Sequence, residues 1–198
     1  MTDSKESKHE EPSRSPHDRE PEQPLSGDGT TRWTTRPETA ADTGAVHAVN
    51  AAAFPTDAEA RLVDALRDDP QAWLPGLSYV AEAADGSVAA HALLTRCLVG
   101  GAPALALAPV ATAPGHQRQG AGQAVVRALL DAARLRPEPL VLVLGHPEYY
   151  PRFGFVPASR YGIRPGFEVP DEAMMALVLD DSGPVPRGTI QYPAAFGV

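Results

Sequence analysis

The run Ala104-Leu105-Ala106-Leu107-Ala108-Pro109-Val110-Ala111-Thr112, then Ala113-Pro114-Gly115-His116-Gln117-Arg118-Gln119-Gly120-Ala121-Gly122, then Gln123-Ala124-Val125-Val126-Arg127-Ala128-Leu129-Leu130, decides the fold. Its first part is nearly all apolar, as a strand buried on both faces requires. Its last part places Val125, Val126, Leu129, Leu130 and then Ala133 on one stripe at helical spacing. Between them lies a glycine-bearing loop. The first turn of a helix exposes N–H groups that have no acceptor within the helix, and the aligned peptide dipoles add positive potential there. Glycine removes the side chains that would keep a ligand off the backbone. Together these features make a cradle for an anion such as a pyrophosphate, to which Arg118 adds a full charge. One dipole interaction is worth only about 0.3–1 kcal/mol, so several amides must act together.

Other phosphate loops do not fit. A Walker loop needs Lys and then Ser or Thr after its last glycine, whereas Gly122 is followed by Gln123 and Ala124. A dinucleotide fingerprint needs a third glycine and an acidic residue at the end of the next strand, and Leu140–Leu144 ends in Gly145-His146.

Working outward, the alternation from Arg32 to Arg36 predicts a first strand, ended by Pro37. Asp42 or Thr43 caps a helix through Val46, Val49 and Ala53 to Phe54, and Pro55 interrupts it. Asp57 opens a second helix with Leu62, Val63 and Leu66 on one face, closed before Pro70. Leu77–Glu82 and Val88–Leu98 read as strands joined by a two-residue turn at Asp85-Gly86. Gly100-Gly101 turns the chain again, into the strand that ends at Thr112. After the central helix come the buried strand Leu140–Leu144, a turn region to Phe155-Val156 and a late strand over Ala173–Leu179. The stretch Asp180–Val198 reads as mostly irregular. The pattern is α+β: a mixed, mostly antiparallel sheet with flanking helices and one parallel crossover through the central helix.

The chain has 198 residues and a formal net charge of −8. Residues 1–30 carry four basic and eight acidic side chains, much Pro and almost nothing apolar, so they read as a disordered acidic tail. The ordered domain is expected over residues 31–180, with a C-terminal extension, 181–198, packed on it. An acidic balance argues against a nucleic-acid partner. No segment has the length of apolar sequence that a membrane helix needs, and the N-terminus lacks the apolar core of a secretory signal. The one cysteine, Cys97, excludes an internal disulfide and a cysteine-based metal cluster, which fits a reducing cytoplasm; within its apolar run it reads as a buried thiol. No metal site is expected.

The spacing Gln-x-x-Gly-x-Gly after a strand carrying Ala108-Pro109-Val110 resembles the acyl-CoA motif of the GNAT acetyltransferases. The run Leu144-Gly145-His146-Pro147-Glu148-Tyr149-Tyr150-Pro151-Arg152-Phe153-Gly154-Phe155 is similar to the YhbS-like branch of that family. The likeness extends from about Arg32 to Phe196, and it implies the GNAT fold, acetyl-CoA as cosubstrate and a primary amine as acceptor. By that resemblance Val110, Ala111 and Thr112 form the edge that pantetheine joins as an added strand, and the Val110 amide holds the thioester carbonyl oxygen. The loop Gln117, Arg118, Gln119, Gly120, Ala121, Gly122 and Gln123 holds the pyrophosphate, through its amides from Arg118 to Gln123. Tyr150 is the general acid toward the departing thiolate. Pro147 and Pro151 bracket the tyrosines, so the helix usual there in the family must be very short.

The chemistry has its own requirements. A thioester is already activated, so the protein must hold a neutral amine about 3–3.5 Å from the acyl carbon, stabilise the oxyanion and return a proton to sulfur. Glu82, His91, His146 and Glu148 are the candidates for the base; His146 and Glu148 lie just past the end of a strand. His47 and His91 also suit structural roles, Tyr149 reads as a packing aromatic, and Trp33 as a packing or groove residue. Two other functions stay open: an acyl-CoA-binding or sensing domain without turnover, and a partner protein with no nucleotide site. Sequence leaves the acceptor and the oligomeric state open, a homodimer included.

Overall fold

The apolar run of residues 104–112 is the centre of the sheet. β4 (Ala102–Thr112) lies between β3 (Val88–Val99), antiparallel to it, and β5 (Leu140–Leu144), parallel to it. The computed structural model describes residues 32–198; the tail expected over residues 1–30 lies outside them. β1 (Thr34–Pro37) and β2 (Ser78–Glu82) continue the sheet beyond β3. On the other side β8 (Met174–Val178) and the short β6 (Val156–Pro157) extend it past β5, giving the order β1-β2-β3-β4-β5-β8-β6. β7 (Ile163–Arg164) pairs with β9 (Gly188–Gln191), and β9 pairs with the end of β3 at Leu98 and Val99, beyond the reach of β2. Mixed, mostly antiparallel strands with helices on the faces are the expected α+β class.

α3 (Ala121–Ala133) makes the crossover from β4 to β5. Val125, Val126, Leu129 and Ala133 have no exposed surface, and Trp33, Leu105, Leu107 and Val141 share their core. Each large aliphatic side chain buried there contributes about 1.5–3 kcal/mol. α1 (Thr43–Ala53) ends because Phe54 precedes Pro55 and is extended, at φ −119° and ψ 160°. α2 (Ala58–Asp68) buries Ala60, Val63 and Leu66, while Leu62 turns partly toward a cavity.

The first hairpin departs from the turn type read from sequence, and the second supplies a two-residue turn where the sequence showed only that the chain turns. The β2–β3 link is a three-residue loop: Gly86 N–H donates to Ala83 O and Ala83 N–H to Ser87 O, both at 2.9 Å, with Gly86 at φ 82°. That is a four-residue turn followed by a left-handed glycine, not a two-residue Asp-Gly turn. The two-residue turn is Gly100-Gly101, at φ 56° and 85° between the paired residues Val99 and Ala102. A Cβ on Gly100 would lie 2.1 Å from the Arg187 carbonyl oxygen, so β9 can dock there only beside glycine.

β9 is absent from the sequence reading, which treats 180–198 as mostly irregular. Its Ile190 is buried with Cys97, Val99 and Ile163, and that burial holds the last residues against the domain.

Candidate active site

Two irregularities open the centre of the sheet. β4 and β5 pair only at Leu105–Val141 and Ala106–Leu142, although β4 runs on to Thr112 and β5 to Leu144. Where they part, the β3–β4 register slips by a residue between Ala92 and Leu94, so Leu107 and Val110 flank an extra residue on β4. Beyond the bulge, the bond from Ala113 N–H to Ala89 O, 2.9 Å, sets the phase of the ladder. Antiparallel neighbours alternate, so Ala111 directs its N–H and C=O at β3, while Val110 and Thr112 direct theirs at the side β5 has left. Of the expected edge, Val110 and the Thr112 N–H therefore offer free backbone, the Thr112 carbonyl accepts from a loop side chain, and Ala111, buried between them, offers none.

The loop after β4 continues this edge. The amides of Arg118 through Gln123 find no acceptor among the described residues, and the helical ladder begins only with Ala124 N–H to Gly120 O at 2.9 Å. Arg118 at φ 58° and Gly120 at φ 94° are both left-handed; such alternation turns successive N–H groups toward one concavity. The loop is braced from outside: Trp33 Nε1 donates to Gln119 O at 3.0 Å, Gln119 Nε2 to Gly115 O at 2.8 Å, and Gln117 Nε2 to Thr112 O at 3.3 Å. Arg32 also donates to Gln119 Oε1. The Gln117 and Gln119 side chains thus hold the loop's shape.

A cleft of about 270 Å³ lies beside these amides, lined by Thr112, Gln117, Arg118, Gly120, Gly122, Gln123, Tyr149 and Arg152. A Cβ on Gly122 would sit 2.7 Å from Thr112 Oγ1 and 3.4 Å from the Tyr149 hydroxyl. Arg152, which the sequence reading leaves without a role, stacks over the Tyr149 ring at 4.6 Å and makes a second cation in the cleft. Tyr149, read as a packing aromatic, lines the cleft as well.

Past Val110, a second cavity of about 400 Å³ fills the gap between the parted strands. Leu107–Val110 and Leu142 form its strand walls, and Gly145, His146 and Tyr150 its end. Tyr150 opens a single turn, Tyr150–Phe153, between Pro147 and Pro151, and the left-handed Gly154 closes it; the short helix expected there is this one turn. Its ring is 8% exposed, 5.1 Å from Tyr149 and 5.7 Å from Phe155. Burial, and secondarily Tyr149, push its hydroxyl up to about 12, so it carries its proton at neutral pH. A Cβ on Gly145 would lie 2.3 Å from the ring, so glycine is required behind it.

Of the base candidates, only His146 lines this cavity. Glu82 is held by Arg36 at 2.7 Å, and Glu148 is exposed outside it. His91 is fully buried between Ser78 Oγ at 2.9 Å and Asn50 Nδ2 at 3.0 Å. Since Asn50 donates to Nδ1, Nε2 carries the proton and donates to Ser78, whose hydroxyl donates to Glu38. Burial, with Arg67 adding to it, lowers His91 to about 3; it is a neutral structural group. Sequence reasoning missed Glu59, on the first turn of α2, which lines the cavity. Its only sequence signal was a carboxylate two residues past a helix cap.

The donor set suits a CoA thioester: free amides and two guanidiniums for phosphate, an unpaired edge for an amide-bearing arm, and an apolar end for an acyl group. Among the described residues no helix is long and apolar enough to cross a membrane, and no three His, Cys, Asp or Glu cluster as metal ligands.

Known proteins share this architecture. The chain is 36% identical over 136 residues to the uncharacterized N-acetyltransferase YjhQ of Escherichia coli K12, covering 66% of this chain and 74% of that one. Its fold matches the GNAT family N-acetyltransferase YhbS of Escherichia coli, solved with CoA, at a TM-score of 0.77 and 28% identity, over 84% of this chain and 93% of the other. A GNAT family acetyltransferase of Brucella melitensis, solved with acetyl-CoA, matches at 0.67 and 29%, over 83% and 97%. The family model described as acetyltransferase (GNAT) covers residues 45–155. With the parted strands, the loop amides and the tyrosine at the cavity's end, these matches show that the chain belongs to the GNAT family of acetyltransferases.

Proposed function

We propose that the protein moves the acetyl group of acetyl-CoA directly onto a primary amine, with both substrates bound at once. The observation that carries this reading is the row of unpaired amides from Arg118 to Gln123, followed along the cleft by the Thr112 N–H and the outward backbone of Val110, which leads to the buried, protonated Tyr150. The relatives solved with CoA and acetyl-CoA support it.

In this reading the amides of Arg118 to Gln123, with Arg118 and Arg152, hold the diphosphate. Val110 and Thr112 hold the pantetheine arm through the groups β5 does not use. Acetyl-CoA supplies an acyl carbon already activated as a thioester. The Val110 N–H donates to the carbonyl oxygen and stabilises the negative charge that grows there as the amine attacks. Tyr150 gives its proton to the departing sulfur, and His146, in the same cavity, takes the proton the amine loses; a proton from solvent restores the tyrosine. The products are the amide and CoA thiol.

The test is acetyl-CoA binding, followed by CoA release over a panel of amines. Tyr150→Phe is expected to lower kcat about 10²–10⁴-fold, with acetyl-CoA affinity unchanged within about twofold. If saturating acetyl-CoA fails to raise the melting temperature, the site has been misread. Binding with no turnover on any amine would leave a module that only carries acyl-CoA.

A further inference from the structure

We propose that the acceptor is a small amine, monocationic in solution, with an apolar, aromatic-sized body; it arrives as an ammonium at the carboxylate of Glu59, releases one proton to solvent to become the neutral nucleophile, and loses the second to His146 as it attacks. This rests on the acetyl-transfer reading above and narrows its substrate.

Opposite the strand walls, the 400 Å³ cavity is closed by Phe54, Leu62, Phe167, Tyr192 and Phe196. Three of these form an aromatic ladder, Phe167 to Tyr192 at 6.4 Å between ring centres and Tyr192 to Phe196 at 5.1 Å. The ladder draws on the loop before β8 and on the segment after β9, so the C-terminal residues build the acceptor wall. The Tyr192 hydroxyl is turned away to Met174 Sδ, 3.9 Å, and burial raises its pKa. What faces the cavity is therefore hydrocarbon and ring, which selects an apolar body.

Among the described residues one carboxylate side chain lies in this lining. Glu59 Oε2 is shielded from solvent and accepts no hydrogen bond among the described residues. An unpartnered, desolvated carboxylate oxygen is costly, and an ammonium supplies three donors and the opposite charge. Among the described residues no Lys or Arg lines the cavity. An amino acid would bring its own carboxylate next to Glu59 with no cation to receive it. A polyamine would bring further ammoniums for which the described lining holds no second carboxylate side chain. A peptide would have to pass a chamber that also holds the acetyl group.

The probes are 2-phenylethylamine, its neutral isostere 2-phenylethanol, phenylalanine and spermidine, assayed by CoA release and by calorimetry on the CoA-loaded protein. The expected result is that 2-phenylethylamine is the preferred acceptor, by about tenfold or more in kcat/KM over phenylalanine and spermidine, and that 2-phenylethanol binds about tenfold more weakly. Glu59→Gln is expected to raise its KM about tenfold while the acetyl-CoA Kd stays within about twofold, and Glu59→Asp to restore part of the loss. Should Glu59→Gln not fold, Phe167→Ala must raise KM for 2-phenylethylamine more than for ethylamine. A preference for spermidine or phenylalanine, an unchanged KM in Glu59→Gln, or no binding of 2-phenylethylamine to the CoA-loaded protein would overturn the inference. Each of these outcomes can occur with acetyl-CoA bound tightly; loss of acetyl-CoA binding by the unaltered protein would instead sink the acetyl-transfer reading.

Discussion

Gly122→Ala separates what the loop does for the ligand from what it does for the fold. Gly122 is the second residue of α3, and its backbone does not need glycine. Alanine is the better helix former by up to about 1 kcal/mol, so helix propensity favours the variant. The new methyl would stand 2.7 Å from Thr112 Oγ1, a side-chain end that can rotate, and 3.4 Å from the Tyr149 hydroxyl. Without ligand these effects nearly offset, and stability should stay within about 1 kcal/mol of the parent. The methyl also occupies the narrow part of the cleft between α3 and the end of β4. A phosphate held back by it loses at least one charge-assisted bond to an amide, about 2 kcal/mol, or roughly 30-fold in Kd. Urea unfolding without ligand and calorimetric titration with acetyl-CoA measure the two quantities separately. Gly115→Ala is the control: its added Cβ meets nothing within 4 Å, and both quantities should be unchanged. If Gly122→Ala bound acetyl-CoA within about threefold of the parent while folding normally, the diphosphate could not lie against these amides.

Arg118 is a non-glycine residue at φ 58°, so Arg118→Gly should raise ligand-free stability by about 1 kcal/mol. The same change should weaken acetyl-CoA binding severalfold, more at low salt, because it removes one of two cations from the cleft. Gly145→Ala should force the Tyr150 ring out of place and cut kcat about tenfold or more, with acetyl-CoA affinity nearly kept, because Gly145 does not line the phosphate cleft. His91 should show in the pH dependence of stability. Its pKa falls from 6.5 when unfolded to about 3 when folded, so its contribution is complete above pH 6.5 and is lost as pH falls toward 3. Between pH 6.5 and 5 that is about 2 kcal/mol, measurable by urea unfolding, and His91→Gln should remove this part of the slope. Glu38, 3.8 Å from Nε2, pulls the other way, but its charge is already matched by Arg67 at 2.6 Å.

What was legible followed from periodicity and from glycine. α3 and its stripe, β5, and the single turn at Tyr150 stand where the apolar spacing and Pro147 and Pro151 put them. The loop's lack of internal acceptors was legible because a helix start always leaves N–H groups over, whatever its surroundings. What failed depends on partners far along the chain. Trp33 beneath the loop answers a carbonyl 86 residues away, and nothing local to Arg32-Trp33 says so. β9 is four residues long and gains its place from Val99 and Ile163. His91, read within an apolar pattern, is a buried neutral pin, and His146, read just past the end of a strand, lies at the cavity. Glu59 reads as a helix-start carboxylate until Phe196 and Tyr192 close over the same space.

The distribution of unmet hydrogen-bonding capacity argues that the opening in the sheet is functional. Elsewhere this chain goes far to satisfy polar groups: Asn50, His91, Ser78, Glu38 and Arg67 form a buried relay across two helices and two strands, and Arg36 bridges Asp42 and Glu82. The unmatched atoms away from the opening, Asn50 Oδ1, Arg67 Nε and Thr95 Oγ1, are scattered single atoms. Along the opening the unmatched groups among the described residues instead gather on one side: the amides from Arg118 to Gln123, the Thr112 N–H, the outward backbone of Val110, and Glu59 Oε2. A fold gains nothing from leaving such a series without partners, since each group could have been paired at a net gain of about 1 kcal/mol. The bulge at Ala108-Pro109 and the early end of β4–β5 pairing are what keep them unpaired, so the sheet gives up ladder bonds to hold donors at one end of the opening and a carboxylate at the other. A ligand with phosphate at one end and a cationic partner at the other answers both, in the order the chain presents them.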